Sequence, residues 1–172
     1  HMLGTVVRAA SHARGIAHFV VVSPVPRGHG RAVETLRDAG TGLNDALSLA
    51  RDVAVGRGAT QLLVLTADLP LATTAAIESF VRSARSFDVA IQRDRHRSGT
   101  NALFLRSPAT ATFRFGSDSA RAYLDDARCT GRRAIAIDDG PLALDVDTPD
   151  DLDELTRIMP GHPLNVVAES AA

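Results

Sequence analysis

The sequence predicts an α/β fold in three layers, with a mostly parallel sheet between two layers of helices. Three observations predict it. Short apolar runs at 16–23 (IAHFVVVS) and 61–66 (QLLVLT) read as strands buried on both faces, because neither alternates with polar residues. Longer stretches between such runs carry apolar residues at helical spacing. The two runs are followed closely by proline, in Ser23-Pro24 and Asp68-Leu69-Pro70, which stops further pairing.

Taken in order, Leu3, Val6, Val7 and Ala10 repeat at helical spacing, and Gly15 ends that helix. The strand at 16–23 closes at Pro24 and Pro26, a Gly-rich turn follows, and 33–36 reads as a short strand. Residues 44–57 form a helix with Leu47, Ala50 and Ala54 inward, and the strand at 61–66 comes next. Ile77, Phe80, Val81 and Ala84 make the apolar stripe of the following helix. Strands are expected at 88–92 and 101–105 around the polar loop 93–100. A helix at 119–128 ends near Gly131, and strands are expected at 134–137 and 143–146. Thr148 as N-cap, Pro149 at the first helical position, and Asp150 and Asp151 in the first turn start a last helix on Leu152, Leu155 and Ile158. Residues 3–159 read as one domain and 160–172 as a tail, in which 164–168 (LNVVA) suits an extended segment. Ligands of parallel sheets sit at the carboxyl ends of the strands. Function is therefore expected in the loops after Val22, Thr66, Leu105 and Val146.

Composition removes several classes of function. The 172 residues carry a net charge of −1, which selects neither nucleic acid nor an anionic membrane as partner. All 19 basic residues are arginine, so a catalytic Schiff-base lysine and a phosphate-loop lysine are excluded. Anions must be met by Arg or by backbone N–H groups. A single cysteine, Cys129, rules out an internal disulfide and a CxxC zinc site. No G-x-S-x-G elbow and no H-E-x-x-H spacing occurs. No apolar run nears the ~20 residues of a membrane span, and the expected compartment is the cytoplasm.

Five motifs can carry chemistry. Asp68 follows a buried strand and precedes Pro70, a place where a carboxylate either forms a turn or holds a hard cation. In Leu144-Asp145-Val146-Asp147, residues two apart on a strand share a face, so Asp145 and Asp147 would stand side by side with Val146 inward. Such a pair calls for a cation between the two charges, unless one acid simply starts the helix and the other is solvated. Ser98-Gly99-Thr100, after the Arg93, Arg95 and Arg97 run, suits an anion nest or a solvated hairpin loop. Gly116 before the Ser-rich helix start at Ser117 and Ser119 offers backbone N–H groups to a carboxylate or phosphate, with ordinary capping as the other account. Gly40-Thr41-Gly42-Leu43-Asn44 opens a helix with small residues that suit a flat nucleobase or merely a turn.

In this order GTGLNDAL, TADLPL, SGTNALFL, FRFGSDSARAYL and LDVDTPDDL resemble the phospholactate guanylyltransferase family. That family makes the guanylylated precursor of a deazaflavin coenzyme and is related to molybdenum-cofactor and sugar-phosphate nucleotidyltransferases. The resemblance implies a Rossmann-like three-layer fold from about Leu3 to Ile158. It further implies Mg²⁺ held by Asp68, Asp145 and Asp147, an acceptor carboxylate received by Thr100, Gly116 and Ser119, and a guanine nucleotide beside Gly42, Leu43 and Asn44. The expected reaction joins GMP from GTP to 2-phospho-L-lactate, phosphoenolpyruvate or 3-phosphoglycerate and releases pyrophosphate. A related transferase with another nucleotide or acceptor, or a non-catalytic acceptor-binding module, are the competing expectations. In one respect the sequence departs from the family. It opens at Met2-Leu3-Gly4-Thr5, where the family's first helix is already under way, without counterparts of the first strand and its basic phosphate loop. The departure implies slow transfer by these residues. It also implies a gap where that central strand would lie, to be closed by residues 164–168 or by a second subunit of a homo-oligomer.

Overall fold

The computed structural model describes residues 2–23 and 33–164. Helix α1 (Met2–Ser11) leads into β1 (Phe19–Ser23), which pairs in parallel with β2 (Val33–Arg37) as a two-stranded sheet. Helix α2 (Leu43–Gly56), β3 (Gln61–Leu65), α3 (Thr74–Ala84), β4 (Val89–Arg93) and β5 (Thr100–Arg106) follow. After a short 3-10 turn at Pro108–Thr110 come α4 (Ser119–Cys129), β6 (Ala134–Ile137) and α5 (Pro149–Ile158). The second sheet has four strands in the order β3-β5-β4-β6.

The α/β class and the helix-strand alternation hold, but the sheet is mixed rather than mostly parallel. Strand β5 runs antiparallel to both β3 and β4, whereas β6 is parallel to β4. The reason is local. Strands β4 and β5 are joined by the hairpin loop 94–99, too short for a helical crossover, and strands so joined must reverse. Reversal also moves the end of β5 away from the edge where ligands were expected. Ser107 just beyond β5 donates its N–H to Thr60 before β3, so the loop after Leu105 lies at the far edge. The amino end of β5, with Thr100 and Asn101, takes its place beside Thr66, whose N–H bonds to the Asn101 carbonyl. A second correction concerns residues 16–23 and 61–66, which fall in separate sheets, with no ladder between β1 and β3 among the described residues.

The core forms on both faces of the four-stranded sheet by strand alternation. Ala102 and Phe104 of β5 and Ala90 of β4 turn toward α1 and α3, where they meet Val6, Ala9, Ile77, Phe80 and Ala84. Leu103 and Leu105 of β5 with Val89 and Ile91 of β4 face the other way, onto Phe113, Tyr123 and Ala127 beside and within α4. Among the described residues no helix is long and apolar enough to cross a membrane. Most of the expected segment 164–168 lies outside the described residues.

Residues 143–146 are not a strand. No neighbouring strand offers them a ladder. The buried side chain of Asn101 takes that role, its Nδ2 donating to the carbonyls of Leu142 and Ala143 at 3.1 Å each. The buried apolar residues there are Leu142 and Leu144, while Val146 is only partly buried and donates its N–H to the Asp68 carbonyl at 3.2 Å. That bond, and not strand alternation, brings the second acidic motif beside the first.

Candidate active site

At the carboxyl edge of β3 and β4 lies a cleft of about 380 Å³. One side is acidic: Asp68 from the loop after β3, Asp145 and Asp147 from the segment before α5, and Asp94 from the hairpin loop. The other side is small and polar, with Ser98, Gly99 and Thr100 from the start of β5, and Gly116, Ser117 and Ser119 from the start of α4. Leu43 and Phe115 give it an apolar corner. Among the described residues the lining contains no Arg or His side chain.

The acids are held under electrostatic tension. Burial pushes the Asp145 carboxyl above the ordinary range, a hydrogen bond from Asn101 Nδ2 at 3.3 Å opposes that, and the charges of Asp68 and Asp147 raise it further. Asp147 is more exposed and also raised, by partial desolvation first and then by Asp68 and Asp151. Asp68 Oδ1 and Thr66 Oγ1 are buried with no hydrogen-bond partner. Among the described residues no three His, Cys, Asp or Glu side chains are already arranged to hold a metal ion. An orphaned carboxylate oxygen beside two carboxyls that resist ionising fits a hard divalent cation. Mg²⁺ in particular is bound through one or two carboxylates, water and substrate phosphate and not by a preformed protein cage.

The polar side is built by the hairpin loop and α4 together. Asp94 accepts the Ser98 N–H at 2.9 Å and folds the loop back. A Cβ on Gly99 would stand 2.8 Å from Asp94 Oδ2, so a side chain there would displace the Asp94 carboxylate that folds the loop. Gly116 has φ +130°, open to glycine alone, and its carbonyl accepts the Ser119 N–H at 3.2 Å. Ser119 Oγ donates to Thr100 Oγ1 at 3.1 Å, both residues being buried. The N–H groups of Ser119 and Ala120 are thus spent on Gly116 and Ser98, which leaves less of the helix start open than the motif suggests.

Of the residues singled out in the sequence, Asp68, Asp145, Asp147, Thr100, Gly116, Ser119 and Leu43 line the one cleft, whereas Gly42 and Asn44 do not. Asn44 instead bonds to the Phe115 backbone. The arginines of the hairpin loop are also turned to other work. Arg93 pairs with Asp138 at 3.1 Å and Arg95 with the buried Asp151 at 2.6 Å, while Arg97 approaches Asp138 at 3.8 Å. Reading by sequence missed Thr66, Asp94 and Asn101. Only Asn101 left a trace, as a carboxamide at the head of an apolar run.

A mixed four-stranded sheet with helices on both faces and an acidic cleft at its edge is the architecture of the nucleotidyltransferases. A protein from Desulfovibrio desulfuricans described as a nucleotide-diphospho-sugar transferase superposes with a TM-score of 0.69 at 16% identity, over 94% of this chain and 76% of that one. The CMP:2-keto-3-deoxy-manno-octonic acid synthetase complexed with CTP superposes with a TM-score of 0.58 at 16% identity, over 92% of this chain and 87% of the other. Residues 2–163 match the family model described as guanylyl transferase CofC like, and the chain belongs to that family of guanylyltransferases. The phosphoenolpyruvate guanylyltransferase of Sphaerobacter thermophilus is 37% identical over 92% of this chain and 79% of its own length. That of Rubrobacter xylanophilus is 40% identical over 90% of this chain and 78% of its own. Guanylyl transfer is thereby favoured over the cytidylyl, molybdopterin and non-catalytic alternatives.

Proposed function

We propose that this protein transfers GMP from GTP to the phosphate of a three-carbon acid, phosphoenolpyruvate first among the candidates, in the assembly of a deazaflavin coenzyme. The observation that carries the reading is the two-sided cleft, with four carboxylates facing glycine and hydroxyl groups. A doubly charged phosphate is repelled by four bare aspartates, so its binding calls for a divalent cation on Asp68, Asp145 and Asp147. Mg²⁺ bound there supplies charge neutralisation for the phosphates that react. Thr100, Gly116 and Ser119 receive the carboxylate and set the direction of the acceptor phosphate. An oxygen of that phosphate attacks the α-phosphorus of GTP, the bond from the α-phosphorus to the bridging oxygen breaks, and pyrophosphate leaves. The acceptor is already an anionic nucleophile at pH 7, so no side chain need act as a base, and rate comes from position and charge. The nucleotide belongs on the side of Gly42 and Leu43, where α2 begins without a side-chain cap.

Product analysis tests this reading. The chain is given GTP or CTP with Mg²⁺ and each of phosphoenolpyruvate, 2-phospho-L-lactate and 3-phosphoglycerate. A guanylylated acid plus pyrophosphate is expected, and cytidylyl transfer or release of pyrophosphate without acceptor would overturn it.

A further inference from the structure

Asn44 stands at the nucleotide side of the cleft but does not line it. Its carboxamide is committed elsewhere. Oδ1 accepts the N–H of Phe115 at 2.8 Å, and Nδ2 donates to the carbonyl of the same residue at 3.2 Å. One side chain 71 positions away thus satisfies both backbone groups of Phe115, as a neighbouring strand would.

Phe115 immediately precedes Gly116, the first residue of the loop that turns into α4. The same segment is pinned from its other side. The Arg114 N–H donates to the Tyr123 phenol at 2.9 Å, and the Phe115 ring meets the Tyr123 ring edge-on at 5.8 Å. Beyond these pins the loop is held through the Ser119 N–H on Gly116 and the Ser119 hydroxyl on Thr100. Gly116 can rotate more freely than any other residue type, so the plane of the Phe115 peptide decides where the loop after it points.

We propose that Asn44 is a positioning residue for the acceptor side of the cleft. It latches Phe115 so that Gly116–Ser119 face Thr100, and it does not read the nucleotide whose loop it follows in sequence. The latch also makes α2 the common support of both halves, since Gly42 and Leu43 precede Asn44 directly. The proposal rests on the reading above that Gly116 and Ser119 receive the acid.

The test separates the two. Titration calorimetry with Mg²⁺ present measures phosphoenolpyruvate and GTP binding to the wild type, Asn44→Ala, Asn44→Asp and Tyr123→Phe. Hydrogen exchange follows residues 114–120. Asn44→Ala should weaken phosphoenolpyruvate by about tenfold or more, as two lost hydrogen bonds allow, and leave GTP within about twofold. Asn44→Asp keeps the acceptor for the Phe115 N–H and should fall between. Tyr123→Phe removes the independent pin and should move acceptor affinity the same way by less. Exchange at 114–120 should quicken in all three. A loss of GTP affinity equal to the loss for the acid, or unchanged exchange at 114–120, overturns the proposal. If the wild type binds neither ligand, the functional reading fails and the exchange result alone decides the latch.

Discussion

Asp147 and Asp145 carry charge that the folded chain tolerates poorly. Their carboxyls are raised, so each ionised group costs stability above the normal carboxylate range and would cost none below it. Asp147→Asn should therefore raise the melting temperature at pH 7 in the presence of a chelator. It should also erase the rise that Mg²⁺ is expected to produce in the wild type, a pair of opposite shifts that thermal melting reads directly. Tyr123 offers a cleaner titration, because the chain has one Tyr and no Trp. Burial pushes its phenol up to about 12, against the Arg114 N–H and charge, which pull it down. A raised acid of this kind contributes fully below pH 10 and loses its contribution between pH 10 and 12, about 2–3 kcal/mol in all. Absorbance at the phenolate band should stay flat to beyond pH 11 and then rise as the chain unfolds.

At the scale of elements, α5 and the hairpin loop are fastened by one carboxylate. Asp151 closes a capping box with Thr148 and accepts the N–H groups of Thr148 and Asp147 at 2.8 and 3.2 Å. Its burial alone would raise it, yet the bonds from Thr148, Arg95 and Asp147 hold it down to about 2. Arg95→Ala strands a buried negative charge and should lower stability by about 1–3 kcal/mol, while Arg95→Lys recovers part of it; chemical denaturation measures both. The Thr148 cap and the helix start were legible in the sequence because Thr-Pro-Asp-Asp is a local signal. So were the six described strands and five helices, whose starts and ends shifted by no more than three residues. What escaped was non-local. The segment 143–146 alternates like a strand but finds Asn101 where a strand partner would be, and β5 reverses because of a hairpin whose length, not its composition, matters. Of the cleft's acids, Asp68 was readable from its place after a buried strand, whereas Asp145 and Asp147 line the cleft from a segment that is not a strand and Asp94 left no signal. That Asn44 faces Phe115 was not readable either, since nothing in GTGLN names a partner 71 residues on.

For the whole molecule, charge decides what the cleft can hold. It meets a triphosphate with four carboxylates and, among the described residues of its lining, no cationic side chain. GTP binding should therefore depend on Mg²⁺, and titration calorimetry with and without a chelator measures the difference.

The division into two sheets has a consequence for how the molecule comes apart. A two-stranded ribbon is marginal by itself, and β1–β2 has no ladder to β3 among the described residues. Its ties to the rest are α2, which packs on β1 and on the 3-10 turn beyond β5, and Phe19, partly buried against the core of α1 and α3. Cooperativity should therefore break at this seam. Under mild denaturant, backbone amides of Phe19–Ser23 and Val33–Arg37 should lose protection in a sub-global opening well below the free energy that guards Val89–Arg93 and Thr100–Arg106. A protease added under those conditions should cut first at Phe19–Ser23 and Val33–Arg37, and leave the four-stranded half, with α1 still packed on α3, as the persistent core.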